Sequence, residues 1–372
     1  MKQFGNIILC IGMVFSYCNA NAQQNRFMKH YDFNDYGWGW GIIELNNKYF
    51  IAGGTDSLYQ TVDSLGVHLY GNNSSLIFKI DSNGDSLSSW RFGDETPFFY
   101  NTYGEFADDK FTAICHSGDG NMILLGNTQS YNPSHYYDYD FQLVKMDTAG
   151  NVIWNKVSSA IGDTVWASLY NIIRTSDGNY AVGGYTNRPV ANWKRGLFVM
   201  FDSLGNYLWH KTYSPIPSRH GSVQQIAECN DGGFMLGGSL SDPNGPPDVQ
   251  PIIIKTDSLG NSQLIKYLPY TINKNYGQTL IRTSDGNYVF GYLTVFHPAS
   301  ASNYMWQYHL MKIDEGENEI WTKDFIYTFN SGFRVYEDIS SNLFIAGIFS
   351  DTLDFRYKAL LIKTDGNGDS LW

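Results

Sequence analysis

Short apolar runs alternate with tight polar turns along almost the whole chain, and this pattern repeats. One copy begins with the apolar run Leu197–Phe201, passes through a polar turn at 202–206 and enters an aromatic stretch that ends at Trp209. Apolar runs of about four to eight residues bounded by Gly, Asn and Asp are typical of β-strands. No longer segment shows the period of an amphipathic helix. The pattern therefore predicts an all-β protein.

Variants of the phrase K-x-D-x-x-G-N-x-x-W occur six times, and in the fourth copy Leu264 takes the place of the tryptophan. Its aspartates are 51 to 66 residues apart. Internal repeats of about this length indicate a solenoid, a propeller or an array. The aspartates of the six copies are Asp81, Asp147, Asp202, Asp257, Asp314 and Asp365.

A second phrase places Asp-Gly between two apolar runs, as at Asp177-Gly178, with degenerate copies at 46–49 and 340–343. Asp-Gly in this position is a strong hairpin signal because Gly accepts positive φ. Each unit then has four strands, A to D, with short A–B and C–D turns and long, irregular B–C and D–A connections. The B–C connection of the first unit, 56–75, is among the longest.

Four-stranded units repeated in this way predict a six-bladed β-propeller. The mature domain, 23–372, would contain blades at about 38–92, 111–157, 168–213, 222–268, 277–325 and 333–372. Residues 26–31 resemble the D-strand sequence 208–213, and the last copy stops at Trp372, early in its own D strand. We expect the N-terminal strand to complete the last blade, which would remove exposed strand edges. The alternative is a truncated sequence that continues beyond Trp372.

The first 22 residues have the features of a secretion signal. Lys2 precedes an apolar stretch around 7–15, and Ala20-Asn21-Ala22 forms a small-residue cleavage site. We therefore expect export to the cell surface or the medium. Beyond this signal the chain has no apolar run long enough to span a membrane. Of the four cysteines, Cys115 and Cys229 remain after cleavage, and we predict free, buried thiols.

The formal net charge of −11 argues against nucleic acid as a partner, because phosphate binding needs a basic surface. Aromatic residues instead gather in the predicted B–C and D–A loops, and irregular loops on a rigid scaffold are where function concentrates. We predict that these loops bind a glycan or a protein, although such aromatics also pack between blades. The candidate residues are Tyr131, His135, Tyr136, Tyr137, Tyr139, Trp193, Arg195, His220, Trp306 and Tyr357.

Motifs of known catalytic chemistry are missing from the sequence. It lacks a nucleophile elbow, a zinc-protease helix, a Walker loop and a dinucleotide fingerprint. We therefore predict no catalytic residues, metal or cofactor, and a non-catalytic binding scaffold. The segments 81–85 and 365–369 resemble calcium loops but lack the distal Glu, so we interpret them as turns.

Two other functions stay open. One is a propeller glycoside hydrolase or lyase, which would need two carboxyl groups about 5–10 Å apart. The other is a structural segment of a larger cell-surface adhesin. The carboxylates considered for the enzyme are Glu105, Asp138, Asp140 and Asp163.

The two repeated phrases, K-x-D-x-x-G-N-x-x-W-x-K and S-D-G-N-Y-x-x-G-G-x-T, resemble repeats in secreted Bacteroidota proteins, many of which end in a type nine secretion sorting domain. They also resemble the delta-sixty class of propeller repeats. The resemblance covers nearly all of the mature chain and implies a propeller at the cell surface, without catalytic residues. The chain departs from this pattern because no sorting domain follows Trp372. The related Asp-box of sialidase-like propellers has a different spacing, so sialidase activity is not expected.

Overall fold

The computed structural model describes twelve segments of the chain, and these form antiparallel strands and turns without a helix. The chain folds as a six-bladed β-propeller, which confirms the predicted fold class. No helix within these segments could cross a membrane. The described residues are 36–63, 66–92, 109–128, 140–158, 166–187, 194–216, 218–242, 249–268, 275–296, 305–327, 333–350 and 357–372.

The strands follow the predicted blades to within a few residues. Blade one contains β1 (Tyr36–Leu45), β2 (Lys48–Asp63), β3 (Gly66–Asp81) and β4 (Ser86–Phe92). Blade two contains β5 (Lys110–His116), β6 (Met122–Thr128), β7 (Asp140–Met146) and β8 (Val152–Ser158). Blade three contains β9 (Trp166–Arg174), β10 (Tyr180–Asn187), β11 (Lys194–Phe201) and β12 (Tyr207–Tyr213).

Blade four contains β13 (His220–Glu228), β14 (Phe234–Ser241), β15 (Val249–Thr256) and β16 (Ser262–Tyr267). Blade five contains β17 (Asn275–Arg282), β18 (Tyr288–Phe296), β19 (Met305–Ile313) and β20 (Glu319–Tyr327). Blade six contains β21 (Arg334–Glu337), β22 (Leu343–Ser350) and β23 (Tyr357–Thr364). In blade six, Ser370 forms a bridge with Thr364, at the point where a fourth strand was predicted to begin. The strand predicted to complete this blade, 26–31, lies outside the described residues.

Two compact units make up the chain, one containing β1–β9 with the turn 202–206 and the other containing β10–β23. The core of the first unit is an apolar cluster from blades one and two, which includes Phe50, Ile77 and Phe111. The second unit has one such cluster from blades four and five and another from blades five and six. Each cluster joins neighbouring sheets because both faces of a blade are apolar. Cys115 and Cys229 are buried, free thiols, as predicted.

The tight turns have the backbone that their sequences require. Gly178 at an A–B turn has φ +88°, and Gly205 at a C–D turn has φ +77°. In the degenerate A–B turns of blades one and six, Asn47 and Ser341 adopt the same left-handed region. At each C–D turn the aspartate caps the hairpin: Asp147 Oδ1 accepts hydrogen bonds from the backbone N–H groups two and four residues later, at 2.9 and 2.8 Å.

The repeated tryptophan and glycine belong to neighbouring blades. A Cβ added at Gly205 would lie 2.6 Å from the Trp154 ring of the preceding blade, and one at Gly260 would lie 2.8 Å from Trp209. The pairs Trp90–Gly150 and Trp321–Gly368 repeat the arrangement. The D-strand tryptophan of one blade thus packs against the C–D turn of the next, which explains why the two residues recur together.

One predicted loop of blade one is wrong. The B–C connection at 56–75 is not irregular, because β2 and β3 continue as a regular hairpin in which Asp63 pairs with Gly66. The physical reason is visible in the sequence. Asp63-Ser64-Leu65-Gly66 repeats the turn phrase of Asp202–Gly205, and β-branched and aromatic residues flank it.

Candidate ligand-binding site

Two of the candidate residues, Arg195 and His220, lie where blades three and four adjoin. Tyr185 lies near the end of β10, Lys194 and Arg195 begin β11, and His220 begins β13. These positions are all at the end of the blades from which the B–C and D–A connections leave. We call this end the loop side, and we define the blade three–four edge as the set Tyr185, Lys194, Arg195, Arg219, His220 and Gln250.

Three residue pairs make contacts at this edge. The Lys194 ammonium lies 4.4 Å from the centroid of the Tyr185 ring and 3.3 Å from its hydroxyl. The backbone N–H of Lys194 donates a hydrogen bond of 2.7 Å to His220 Nδ1, which joins β11 to the start of β13. On the blade four side, Arg219 Nη1 donates to Gln250 Oε1 at 3.3 Å. A cation–π contact of this kind is worth about 0.5–1 kcal/mol at an exposed site.

The electrostatic setting of His220 favours its neutral form. Burial lowers the pKa of His220, and the Lys194 ammonium lowers it further, whereas Asp242 acts in the opposite direction. Because Nδ1 accepts the Lys194 N–H, the neutral ring holds its proton on Nε2. The neutral His220 ring is therefore a hydrogen-bond donor through Nε2.

The chemistry of the edge is that of a donor-rich surface beside an aromatic ring. Lys194, Arg195 and Arg219 are cations that can only donate, and His220 donates through Nε2. Tyr185 adds a partly exposed ring and a hydroxyl. Such a set suits a ligand that is rich in oxygen acceptors.

Two of the ten predicted ligand-binding residues, Arg195 and His220, lie at this edge with described side chains. For Trp306 and Tyr357 the structure describes the backbone alone: Trp306 pairs with Val295 in β18, and Tyr357 pairs with Ser350 in β22. The remaining predicted residues lie outside the described residues: Tyr131, His135, Tyr136, Tyr137, Tyr139 and Trp193.

Tyr185 and Gln250 were not among the sequence candidates. Tyr185 directly follows Gly183-Gly184 near the end of a B strand, and Gln250 is the second residue of a C strand. Both are strand residues next to a long connection. A search of the strand ends that flank each long connection would have found them.

One group in the described chain has the composition of a metal site. Ligand atoms of Cys229, Asp231 and Glu315 lie within 4.8 Å of one another. The Lys255 ammonium is already there, 3.0 Å from Asp231 and 3.5 Å from Glu315. Burial raises the pKa of Cys229 to about 11, so the thiolate that a metal needs is disfavoured. The group of Cys229, Asp231, Glu315 and Lys255 therefore has the geometry of an ion-pair cluster.

The calcium-like segments are Asx-type turns. Asp81 Oδ1 accepts the backbone N–H groups of Asn83 and Asp85, both at 2.8 Å. Asp365 does the same for Asn367 and Asp369 at 2.9 Å. The carboxylate oxygen that a calcium ion would need is engaged in closing the hairpin.

The carboxylates considered for a hydrolase are not placed by the described structure. Glu105, Asp138 and Asp163 lie outside it, and only the backbone of Asp140 is described. A different carboxylate is buried on the loop side: Asp109, directly before β5, is 3% exposed and accepts a hydrogen bond of 2.6 Å from Thr128.

A histidine–aspartate pair lies within the sheet of blade five. His309 Nδ1 is 2.7 Å from Asp324 Oδ1, and the ring stacks on Tyr292 with centroids 4.5 Å apart. His309 Nε2 is buried and has no hydrogen-bond partner among the described residues. A general base needs a reacting hydroxyl or water within hydrogen-bond reach, so the pair does not form a nucleophile–base arrangement with a described side chain.

No protein-family model matches the chain, and no curated protein matches it. Solved structures with a similar fold include an α-L-arabinanase of Penicillium chrysogenum in complex with arabinobiose, with 12% identity, TM-score 0.45, and coverage of 67% of this chain and 76% of that one. A GH93 α-L-arabinofuranosidase of Fusarium graminearum has 13% identity, TM-score 0.45, and coverage of 67% and 80%. The endo-arabinase of Bacteroides thetaiotaomicron has 11% identity, TM-score 0.39, and coverage of 64% and 88%. These values give no information on the activity of this chain.

Proposed function

We propose that this protein is an extracytoplasmic, non-catalytic propeller that binds a glycan through the loop side of its blades. The observation that supports the proposal is the blade three–four edge, where cations, a neutral histidine donor and a tyrosine ring converge on two strand starts. Hydroxyl-rich sugars satisfy such donors and pack their C–H faces on aromatic rings. We also propose that residues 1–22 direct export and that the chain is related to secreted Bacteroidota repeat proteins.

A glycan-array screen of the mature chain tests this function, beside a variant that combines Arg195→Ala with His220→Ala. Hydrogen bonds to charged groups contribute about 1.5–3 kcal/mol, so we expect at least about tenfold weaker binding for the variant. Lys156→Ala is the matched control, because Lys156 is an exposed cation on β8. Binding that survives unchanged in the double variant would reject this site, and no binding to any glycan would favour a protein ligand or a structural segment.

A second candidate function is glycoside hydrolysis, favoured by the buried Asp109. Equivalent positions in four other blades hold Gly37, Ala167, Gly221 and Asn275, so the carboxylate is particular to blade two. Burial of a carboxyl group is one way in which enzymes obtain a general acid. The test is release of reducing ends from a bound glycan, which Asp109→Asn would abolish. Absence of hydrolysis in the unmodified protein rejects this candidate.

A further inference from the structure

In blades one, two, four and five the first strand carries one extra residue. Each of these residues is passed over in the pairing of the first strand with the second, which is the mark of a β-bulge. A bulge bends the strand and redirects one side chain out of the regular alternation, and bulges are common beside functional sites. The bulge residues are Trp40, Thr112, Gln224 and Gln278.

Trp40 differs from the other bulge residues because it is both large and apolar. It is 53% exposed, whereas the corresponding positions hold a threonine or a glutamine. The repeat therefore does not require an indole at this position. Tryptophan buries most of its surface on average, and an exposed indole leaves a large apolar area in water. A ligand that covers the ring accounts for its presence here.

The residues next to Trp40 leave room for such a ligand and hold its strand against blade two. Gly39 and Gly41 flank it, so neither neighbour in sequence has a side chain to cover the ring. A Cβ at Gly41 would meet a side chain of β5 at 2.9 Å and the Cα atom of Ala113 at 3.5 Å. Because Trp40 directly precedes Gly41 and Thr112 directly precedes Ala113, the two bulges are neighbours.

Blade three brings Tyr170 to the other side of β5. The backbone N–H and C=O groups of Leu169 bond to the Asn127 side chain of blade two, at 3.1 and 3.3 Å. Asn127 in turn pairs with Lys110, two residues before the β5 bulge. Tyr170 is half-buried and directly follows Leu169, so it lies on the blade three side of this bulge.

The first strands are uncharged around these positions. The segments 36–43, 111–115 and 166–173 contain no Asp, Glu, Lys or Arg. The carboxylate that precedes the β5 bulge in sequence, Asp109, is 3% exposed and bonded to Thr128. A ligand here would meet an aromatic ring and hydroxyl groups rather than ions. Sugars match such a surface, because their C–H faces pack on aromatic rings and their hydroxyls both donate and accept.

We infer that Trp40, Thr112 and Tyr170 form a subsite for one ring of a neutral, β-1,4-linked saccharide; this inference rests on the proposed glycan-binding function. Trp40 is the platform for the flat face of the sugar, which equatorial linkages leave free of hydroxyls. The Thr112 hydroxyl donates to the Leu125 carbonyl at 3.4 Å, so its oxygen can accept a hydrogen bond from the sugar. None of these residues belongs to the blade three–four edge, so the subsite adds a second set of glycan contacts.

The experiment measures the binding of cellohexaose and xylohexaose to the mature chain by titration calorimetry, beside Trp40→Ala, Trp40→Phe and Trp372→Ala. Trp372 is the matched control, because it is 59% exposed and lies in blade six. We expect at least one hexasaccharide to bind, and Trp40→Ala to weaken its binding at least about tenfold, as truncation of a contact tryptophan commonly does. Trp40→Phe keeps a ring and should lose less, and Trp372→Ala should bind like the unmodified protein.

Oxidation of indoles by N-bromosuccinimide gives a readout that needs no variant. The bound hexasaccharide should slow the oxidation of Trp40 several-fold and leave Trp372 unprotected, as measured by mass spectrometry of proteolytic peptides. This measurement decides the question even if Trp40→Ala lowers the melting temperature.

The outcomes separate this inference from the function on which it rests. Unchanged affinity in Trp40→Ala, an equal loss in Trp372→Ala, or equal oxidation of Trp40 with and without the sugar overturns the subsite. If binding is lost in the Arg195→Ala and His220→Ala double variant but not in Trp40→Ala, the proposed function stands and the subsite fails. If neither hexasaccharide binds but the array finds another glycan, the assignment fails and the proposed function survives; if no glycan binds, both fail.

Discussion

The glycines of four C–D turns each satisfy two requirements: a left-handed backbone and space for a neighbouring tryptophan. They are Gly150, Gly205, Gly260 and Gly368. Gly205 and Gly232, which lies in an A–B turn, allow the two requirements to be tested separately, because both have the same φ of +77°. A Cβ at Gly205 would lie 2.6 Å from Trp154, whereas a Cβ at Gly232 would have nothing within 4 Å. The contribution of blade-to-blade packing can therefore be measured with the backbone term held constant.

We predict that Gly205→Ala destabilises the protein more than Gly232→Ala does. Both variants place a non-glycine residue in the left-handed region, which costs about 1–2 kcal/mol. Gly205→Ala must also displace the Trp154 ring, and overpacking of this kind costs about 1–3 kcal/mol more. Urea unfolding of the two variants measures the difference. Equal losses would mean that the tryptophan contact does not select the glycine.

In blades two, four and five, the lysine of the repeat phrase pairs with the A–B turn aspartate of its own blade, as Lys312 does with Asp285 at 2.7 Å. Burial raises the pKa of Asp285, but hydrogen bonds from Lys312, Thr283 and Asn287 lower it by more. The net result is a pKa well below the ordinary value. A carboxyl group whose folded pKa is depressed stabilises the fold above its unfolded pKa, near 3.9, and this stabilisation is lost as the pH falls below it.

We predict that Lys312→Met lowers the free energy of unfolding by about 1 kcal/mol at pH 7, because it leaves Asp285 without its cation. The difference from the unmodified protein should shrink as the pH falls from 5 to 3, because Asp285 then becomes protonated in the unfolded state, near its unfolded pKa of about 3.9, and its ion pair with Lys312 contributes less to stability. Blade three already has Met200 in the equivalent position, so Met200→Leu is the control without an ion pair. A loss that is constant across this pH range would show that Lys312 stabilises by packing alone.

At the scale of the element, the junction of blades four and five departs from the repeat on both of its sides. Leu264 pairs with Lys255 as Trp321 pairs with Lys312, so Leu264 occupies the tryptophan position. The turn residue that would receive a tryptophan is Glu317 instead of Gly, with φ +61° and 9% exposure. Lys266 Nζ still donates to the Glu317 carbonyl at 2.6 Å. A larger turn residue, Glu317, thus occurs together with a smaller strand residue, Leu264, as expected if the two side chains fill the same space between the blades.

We predict a favourable coupling between Leu264→Trp and Glu317→Gly. Leu264→Trp alone should cost about 1–3 kcal/mol, because the ring meets Glu317. Glu317→Gly alone removes the strain of a non-glycine residue in the left-handed region and removes a carboxyl group whose pKa is raised by burial. It also leaves a gap beside Leu264. The double variant restores the repeat, so a double-mutant cycle of unfolding free energies should give at least about 1 kcal/mol of coupling. Additive effects would show that the two positions are independent.

Local sequence was sufficient to predict strands and turns, because alternation and Asp-Gly chemistry act within a few residues. It did not show that Trp154 and Gly205 meet, since this contact lies between blades. The extended hairpin of β2 and β3 was missed although Asp63–Gly66 repeats the known turn phrase, because a connection in a propeller was expected to be irregular there.

At the scale of the whole molecule, the sequence predicted that Arg195 and His220 lie in loops, whereas the structure places them in β11 and β13. Both lie at the end of the blades from which the long connections leave, because the topology of a four-stranded sheet assigns every long connection to one end. The sequence did not predict the contacts around them. The hydrogen bond from Lys194 to His220 depends on how the start of β13 meets β11, and the Tyr185 contact depends on the register of β10 with β11. These are tertiary features that one blade cannot specify alone.

Hydrogen exchange with and without the strongest-binding glycan of the array tests whether a ligand engages the loop side where blades three and four adjoin. We expect slower exchange of backbone amides at 194–197 and 219–222, at the starts of β11 and β13. The turns 202–205 and 229–233, at the opposite end of the same blades, should exchange at unchanged rates. Slowed exchange confined to those turns, or none in either region with glycan bound, would contradict it.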